Sequence, residues 1–165
     1  MTNDPKPPGD YSEQAYPHQA LTGKIIASAY AVARELGFGF LESVYRRALA
    51  VELQYRGVSV AQEVPFELFH RGVPVGTYRA DLIAESVVLI ETKTGYVLDP
   101  TGPDQLLNCL CAARLTLGLL VYFGPAGVQV KRMIKSEKGD VTYDRASCAP
   151  PKANADVADL TDRRC

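Results

Sequence analysis

Long apolar runs are missing from this sequence of 165 residues. No uninterrupted hydrophobic stretch approaches the roughly 20 residues that cross a bilayer, and the first residues are acidic and rich in proline instead of basic and then apolar. Neither a membrane span nor a secretory signal is therefore expected, and the predicted location is the cytoplasm. With 47% hydrophobic residues, the chain has the size and composition of one ordinary folded domain.

A strong excess of positive charge is also absent. The formal net charge is −1 at pH 7. The overall charge therefore does not indicate a nucleic-acid-binding protein. Residues 20–138 carry 13 basic and 11 acidic side chains, a net charge of +2. That balance leaves room for a local basic edge but does not predict a strongly cationic surface.

Cysteine is scarce, and its four positions fit no zinc pattern. Cys109 and Cys111 are two residues apart, so on a helix their side chains would not face each other. Cys148 and Cys165 lie in a polar C-terminal stretch. The spacing therefore argues against a zinc cluster or a disulfide at Cys109 and Cys111. A glycine-rich phosphate loop ending in Lys-Ser or Lys-Thr is missing as well, which argues against that class of nucleotide-binding protein.

Hydrophobic periodicity divides the chain into elements. Residues 1–19 contain four prolines and no apolar period, which predicts a disordered N-terminal tail. Residues 20–139 form the predicted domain, and residues 140–165 are predicted to be a disordered C-terminal tail. Within the domain we expect two helices, three strands, one helix and two strands, at residues 21–36, 41–56, 58–93, 103–117, 119–123 and 128–134. This order predicts an α/β fold with a mixed central sheet flanked by helices, because strand–helix–strand connections are usually parallel crossovers.

The charged residues of chemical interest lie on two apolar strands joined by a turn near Glu85-Ser86. Asp81 comes late in the first strand, and Glu91-Thr92-Lys93 ends the second. Strand alternation puts Glu91 and Lys93 on one face. Two carboxylates close together repel each other, and a hard cation such as Mg²⁺ would remove that repulsion. The alternative is a surface hairpin whose Glu91 and Lys93 form an ion pair in solvent, which would contribute little.

Glu42 also has two interpretations. It lies in the first turn of the second predicted helix, where a carboxylate stabilises the helix dipole, and Arg46 follows four residues later as an ion-pair partner. Those two facts give a purely structural account of Glu42. The inner side of this helix is predicted to carry Leu41, Val44, Tyr45, Ala48 and Val51 or Glu52.

The order and spacing of these motifs resemble the PD-(D/E)xK nuclease superfamily. The core motif would be Asp81 followed by Glu91-Thr92-Lys93. Upstream, Gly39-Phe40-Leu41-Glu42-Ser43-Val44-Tyr45 is similar to the GxxExxY pattern that names a family of small prokaryotic proteins in that superfamily. Downstream, Gln105-Leu106-Leu107-Asn108 resembles the helix that follows the core motif. The resemblance covers about residues 20–134 and implies a restriction-endonuclease-like core.

The resemblance also implies an activity, namely magnesium-dependent hydrolysis of phosphodiester bonds in nucleic acid, with DNA preferred to RNA and Mn²⁺ able to replace Mg²⁺. The implied catalytic residues are Glu42, Asp81, Glu91 and Lys93. The implied metal ligands are Asp81, Glu91, the backbone carbonyl of Thr92, and Glu42. Lys93 would position or activate the attacking water.

Two further residues are implied to support the site or to bind substrate, Tyr45 and Gln105. Cys109 stands where relatives often carry a tyrosine, so a hydroxyl contact to substrate would be missing. This altered helix and the near-neutral charge permit a second hypothesis, in which the protein is a catalytically weak or inactive interaction module with a nuclease fold. A homodimer is one assembly that the sequence leaves open.

Overall fold

The structure, a computed structural model, describes residues 17–136 and the backbone of residues 141–145. It has the predicted α/β architecture, with one mixed sheet of six strands and helices on both faces. The elements in chain order are α1 (Gln19–Leu36), α2 (Glu42–Tyr55), β1 (Val60–His70), β2 (Val73–Ala84), β3 (Val88–Thr94), α3 (Gly102–Ala113), β4 (Leu117–Gly124), β5 (Gly127–Lys135) and β6 (Val141–Arg145). None of the helices in the described residues is long and apolar enough to cross a membrane.

The strands follow one another across the sheet in chain order, from β1 at one edge to β6 at the other. Among the strands that the structure describes, only β3 and β4 pair in parallel, and α3 connects them, so the predicted parallel crossover is confirmed. The predicted turn between β2 and β3 is also confirmed. Glu85 and Ser86 both have left-handed backbone conformations there, with φ of 49° and 60°, as the central residues of a type I′ turn do, and the Val87 N–H donates to the Ala84 carbonyl at 3.0 Å.

The core consists of two apolar layers, one on each face of the sheet. On one face α1 and α2 cover β2 to β5, and the largest buried side chains include Ile25, Tyr45, Leu49, Leu53 and Phe123. On the other face α3 packs its Leu106 and Leu110 against Leu89 and Leu120. Every residue of β4 is buried, which explains why this strand is a continuous apolar run instead of an alternating one.

Two predicted helix details are wrong. The inward side of α2 carries Tyr45, Leu49 and Leu53, spaced four residues apart, whereas Leu41 and Val51 are 75% and 64% exposed. The third helix ends at Ala113 instead of continuing to residue 117. Arg114 takes a left-handed conformation that ends the helix, and Leu117 pairs with β3 as the first residue of β4.

The predicted domain limits, 20–139, also need correction. The first helix begins at Gln19, and the carbonyl of Pro17 accepts a hydrogen bond of 2.6 Å from the buried guanidinium of Arg132. Residues 141–145 pair with β5 as β6, so the prediction of a disordered tail from residue 140 does not hold for them. Residues 1–16, 137–140 and 146–165 lie outside the described residues, and the tail predictions there stay predictions.

Candidate active site

The site lies where strands β2 and β3 separate from each other. Their ladder pairs only residues 82–84 with residues 88–90, so the backbone of Thr92 has no strand partner on that side. The side chain of Asp81 supplies the missing hydrogen-bond partner. Its Oδ2 accepts a hydrogen bond from the Thr92 N–H at 2.8 Å and another from the Thr92 hydroxyl at 2.6 Å. Because the N–H and C=O of one strand residue point to the same side, the Thr92 carbonyl is directed toward the same gap.

Glu91 and Lys93 share one face of β3, as strand alternation predicts. Lys93 Nζ lies 3.2 Å from Glu91 Oε1, and Glu91 is only 7% exposed. The pair is therefore not the solvent-exposed hairpin pair of the alternative interpretation. Glu91 Oε2 is buried and has no hydrogen-bond partner among the described residues, and leaving a carboxylate oxygen in that state is costly.

Burial and neighbouring charges determine how these two groups ionise. Loss of solvation, followed by the charge of Asp81, raises the pKa of Glu91 to about 7, and Lys93 opposes this only in part. Burial by itself would lower the pKa of Lys93, but the charges of Glu91 and Glu42 outweigh that effect and raise it. At neutral pH Lys93 is therefore an ammonium group, while Glu91 is protonated in part of the molecules.

Glu42 reaches this site from the first turn of α2. Its Oε2 lies 3.9 Å from Lys93 Nζ, and its side chain is 41% exposed. Partial burial raises the pKa of Glu42, and the charge of Lys93 opposes the rise. In the described residues no ion pair within 4.0 Å joins Glu42 to Arg46, so the purely structural account of Glu42 lacks its expected partner.

The structure thus brings Glu42, Asp81, Glu91 and Lys93 together from α2, β2 and β3. Lys93 contacts two of the other three, and Asp81 acts electrostatically on both Glu91 and Glu42. Their roles as catalytic groups stay a prediction. The chemical character of the cluster is clear, because three carboxylates and one ammonium group meet at the edge of an apolar core.

Tyr45, one turn after Glu42, is fully buried. Its ring stacks on Phe123 of β4 with 4.6 Å between ring centroids. Its hydroxyl donates to the Gly37 carbonyl at 2.7 Å and accepts from the Phe40 N–H at 3.4 Å. This geometry makes Tyr45 a positioning residue for the start of α2.

Gln105 and Cys109 both belong to α3 but differ in solvent exposure. Gln105 is exposed in the first turn, and within the described part of the chain its side chain makes no hydrogen bond to the four clustered residues. Cys109 is buried, and its thiol lies 3.7 Å from the Arg79 carbonyl. Burial and then the charges of Glu91 and Asp81 raise the pKa of the Cys109 thiol to about 11, so this residue presents a neutral thiol near the carboxylates.

Sequence reasoning missed two residues of the site. Arg46 places one guanidinium nitrogen 3.5 Å from Asp81 Oδ1 and the other 3.1 Å from Glu63 Oε1. Glu63 has a left-handed φ of 51° and lies opposite Asp81, between the paired positions Gln62–Leu82 and Val64–Ala80 of the β1–β2 ladder. Arg46 could have been found, since a residue four positions after Glu42 lies on the same helix face. Nothing in the sequence marks Glu63.

Oxygen donors that suit a hard divalent cation are present, although no group of three or more His, Cys, Asp and Glu side chains that could hold a metal ion is found in the described residues. The buried Oε2 of Glu91 has no partner, the charge of Asp81 disfavours ionised Glu91, and the Thr92 carbonyl is directed toward the gap. Oxygen donors of this kind are the ligands of Mg²⁺ and Mn²⁺. Glu42 lies farther out, beside Lys93, and its role as a ligand stays a prediction.

Comparison with known proteins identifies a sequence family and similar solved structures. Residues 19–133 match the sequence family described as the PD-(D/E)XK nuclease superfamily. The crystal structure of the protein SSO0001 is 23% identical in sequence and has a TM-score of 0.46, and the match covers 73% of this chain. This chain spans 57% of the length of SSO0001. No curated protein matches the chain.

Proposed function

Because the chain belongs to the PD-(D/E)XK nuclease superfamily, we propose that it hydrolyses phosphodiester bonds of nucleic acid with the help of Mg²⁺, for which Mn²⁺ can substitute. The observation that carries the proposal is the buried, unpartnered Oε2 of Glu91, held beside the Asp81 charge and the Lys93 ammonium group. DNA is the substrate proposed first, and RNA second. Membership in the GxxExxY family is part of the same proposal.

Asp81, Glu91 and the Thr92 carbonyl would hold the metal ion, and Glu42 would be a further ligand or would orient the others. A divalent ion at this place would polarise a phosphoryl oxygen and make a water molecule more acidic. The protein supplies fixed geometry for both carboxylates. Thr92 fixes one oxygen of Asp81 and Lys93 fixes one oxygen of Glu91, which leaves the second oxygen of Glu91 available.

Lys93 would act as a cation and hydrogen-bond donor, and not as a base. Its raised pKa keeps it protonated at neutral pH. Two carboxylates hold the ammonium group, at 3.2 Å for Glu91 and 3.9 Å for Glu42. From this position it can orient a water molecule and stabilise negative charge that develops on a phosphoryl oxygen.

Arg46 would fix Asp81 through Oδ1, the carboxylate oxygen that Thr92 does not contact. Its guanidinium bridges Asp81 and Glu63, so the Asp81 carboxylate has partners on both oxygens. A ligand held in this way loses little further freedom when a metal binds. Arg46 is accordingly proposed as a positioning residue of the site.

A cleavage assay tests the proposal. The full-length protein, first freed of metal, is incubated with labelled single-stranded and double-stranded DNA and RNA in Mg²⁺, Mn²⁺ or EDTA. We expect cleavage with either metal and none in EDTA. Lys93→Ala should lower the rate by about 100-fold or more, the size of effect seen when one charge-stabilising donor is removed. Lys24→Ala, which removes an exposed lysine of α1, is the matched control and should cleave normally.

Two results would refute the proposal. One is a wild-type protein that cuts none of the substrates with either metal, and the other is a Lys93→Ala variant as active as the wild type. The first result would leave the alternative function, an interaction module that keeps the nuclease fold without useful catalysis.

A further inference from the structure

Two loops next to the clustered charges carry exposed apolar side chains. One loop precedes α2 and the other follows β3. Five large side chains on these loops are between 49% and 84% exposed: Phe40, Leu41, Tyr96, Val97 and Leu98. We call this set the aromatic platform, since its two rings are the largest members. Exposed apolar groups gathered beside a functional site indicate a binding surface.

The platform is held in place by contacts from the folded core. The ring of Tyr96 meets the ring of Phe38 edge to face, with 5.1 Å between centroids, so one loop contacts the other. The Tyr122 hydroxyl donates to the Gly95 carbonyl at 2.6 Å, directly before Tyr96. The Tyr45 hydroxyl accepts from the Phe40 N–H. The backbone of both loops is therefore anchored while the two rings remain exposed, at 49% for Phe40 and 84% for Tyr96.

The platform is close to the predicted catalytic residues. Phe40 is two residues before Glu42, and Tyr96 is three residues after Lys93. Since an extended chain spans at most about 3.6 Å per residue, the Cα atoms are within about 7 Å and about 11 Å of each other, respectively. A nucleotide chain with a phosphate at the site would thus have its neighbouring bases within reach of the rings.

We propose that the aromatic platform stacks against unpaired nucleobases, so that the preferred substrate is single-stranded nucleic acid or an unpaired end instead of an intact duplex. The inference rests on the proposed nuclease function, whose substrate class it specifies. Aromatic side chains stack on the flat faces of bases, and these faces are hidden inside a duplex. The chain is near neutral, and base stacking supplies binding energy that does not depend on cationic phosphate contacts.

Equilibrium binding to labelled oligonucleotides tests the proposal. The full-length protein is titrated, with Ca²⁺ replacing Mg²⁺, against a 20-nucleotide oligothymidine, a strand of the same length carrying abasic sites, and a 20-base-pair duplex. The abasic strand keeps the phosphates and removes bases. We expect the oligothymidine to bind most tightly, and the abasic strand and the duplex to bind about tenfold more weakly, the order of one lost stacking contact.

Variants of the platform make the test specific. Tyr96→Ala should weaken oligothymidine binding by about tenfold, whereas Tyr96→Phe, which keeps the ring, should bind as the wild type does. Tyr55→Ala is the matched control, because Tyr55 is 85% exposed at the opposite end of α2 from Glu42. It should leave binding unchanged. Tyr96 is itself largely exposed, so its removal should not unfold the protein.

Several outcomes would overturn the proposal: no binding of oligothymidine, equal affinity for the three probes, or no effect of Tyr96→Ala. Analytical sedimentation, which measures the oligomeric state, can give a further contradicting outcome. If Tyr96→Ala dissociates a dimer and leaves oligonucleotide binding unchanged, the platform binds a second copy of the chain instead of bases.

Cleavage is measured separately from binding, so that the two proposals can be distinguished. Tyr96-dependent binding without any cleavage would refute the nuclease function alone, and cleavage that ignores Tyr96 would refute the platform alone.

Discussion

Asp81 affects stability in two opposite ways. Its charge acts on Glu91 and helps to raise the pKa of that carboxyl, so the two groups repel each other when both are ionised. It also accepts two hydrogen bonds from Thr92 and faces Arg46. Leaving a buried donor without a partner costs about 1–3 kcal/mol, and the repulsion is reduced because Glu91 is partly protonated. We therefore expect the hydrogen bonds to dominate the stability of the metal-free protein.

Substitution of Asp81 tests this balance. Asp81→Ala should lower the free energy of unfolding of the metal-free protein by about 2 kcal/mol, since Thr92 loses its acceptor. Asp81→Asn should lower it less, because the amide oxygen can still accept from Thr92. Both variants should lose the stabilisation by Mn²⁺ that we expect for the wild type. Urea unfolding in EDTA and in Mn²⁺ measures these effects, and a more stable Asp81→Ala protein in EDTA would mean that repulsion dominates.

Glu91 should make the metal-free protein less stable as pH rises. Its pKa is about 7 in the fold against an ordinary value of 4.5, so between these values the folded protein binds more protons than the unfolded chain. The contribution of Glu91 is therefore fully present below about pH 4.5 and is lost as pH rises through about 7. The loss is at most about 3 kcal/mol.

Urea unfolding between pH 5 and pH 8 in EDTA measures this slope. Glu91→Gln should remove most of it, and Glu42, whose pKa is also raised, should account for part of the remainder. Glu35→Gln, an exposed acid of α1, is the control and should keep the wild-type slope. Parallel stability curves for wild type and Glu91→Gln would show that Glu91 does not titrate in this range.

At the scale of elements, features that depend on neighbouring residues could be predicted from the sequence. The first helix ends at a glycine, Gly37, as its apolar period predicts. The turn at Glu85-Ser86 and the shared face of Glu91 and Lys93 follow from strand alternation and turn chemistry. Parallel pairing of β3 with β4 follows from the helix between them.

Features that depend on distant residues could not be predicted. Arg46 was expected to pair with Glu42 on its own helix, but it pairs with Asp81 and Glu63 of the sheet. The end of α3 at Ala113 is determined by the pairing of the next segment with β3, which the helical period does not reveal. Leu41 is predicted to lie on the inner side of α2, but it precedes the first residue of the helix and is exposed.

The start of α2 offers a test of how an element positions Glu42, a predicted catalytic residue. Tyr45→Phe keeps the stack on Phe123 and removes the hydroxyl that binds Gly37 and Phe40. We expect a loss of about 1 kcal/mol in stability and a lower rate of cleavage, because Glu42 would be held less firmly. Tyr55→Phe at the other end of α2 is the control. Urea unfolding and the cleavage assay are the measurements, and an unchanged rate in a destabilised Tyr45→Phe protein would limit Tyr45 to a purely structural role.

At the scale of the whole molecule, composition placed the end of the domain too early. Residues 141–145 become β6 only by pairing with β5, and that pairing is a long-range event that local composition does not indicate. At the other end, the buried Arg132 of β5 binds the Pro17 carbonyl. Both contacts extend the folded region beyond the predicted limits of 20 and 139.

Truncation tests the corrected limit. A chain ending after residue 139 would lack β6 and expose the edge of β5, so we expect it to have a Tm several degrees lower than a chain ending after Arg145 and to aggregate more readily. Both proteins keep the N-terminus unchanged, so the comparison isolates β6. Equal Tm values for the two truncated proteins would restore the limit at residue 139.

Calorimetric titration of Mn²⁺ into the metal-free, full-length protein tests the central claim most directly, namely that Asp81 and Glu91 form a divalent-metal site. The proteins compared are the wild type, Glu91→Gln and the control Glu35→Gln. We predict a saturable site in the wild type and the control, with affinity about tenfold or more lower in Glu91→Gln, since a lost ligand should cost at least as much as a lost outer partner. No saturable binding to the wild type, or equal affinity in Glu91→Gln, would contradict the account.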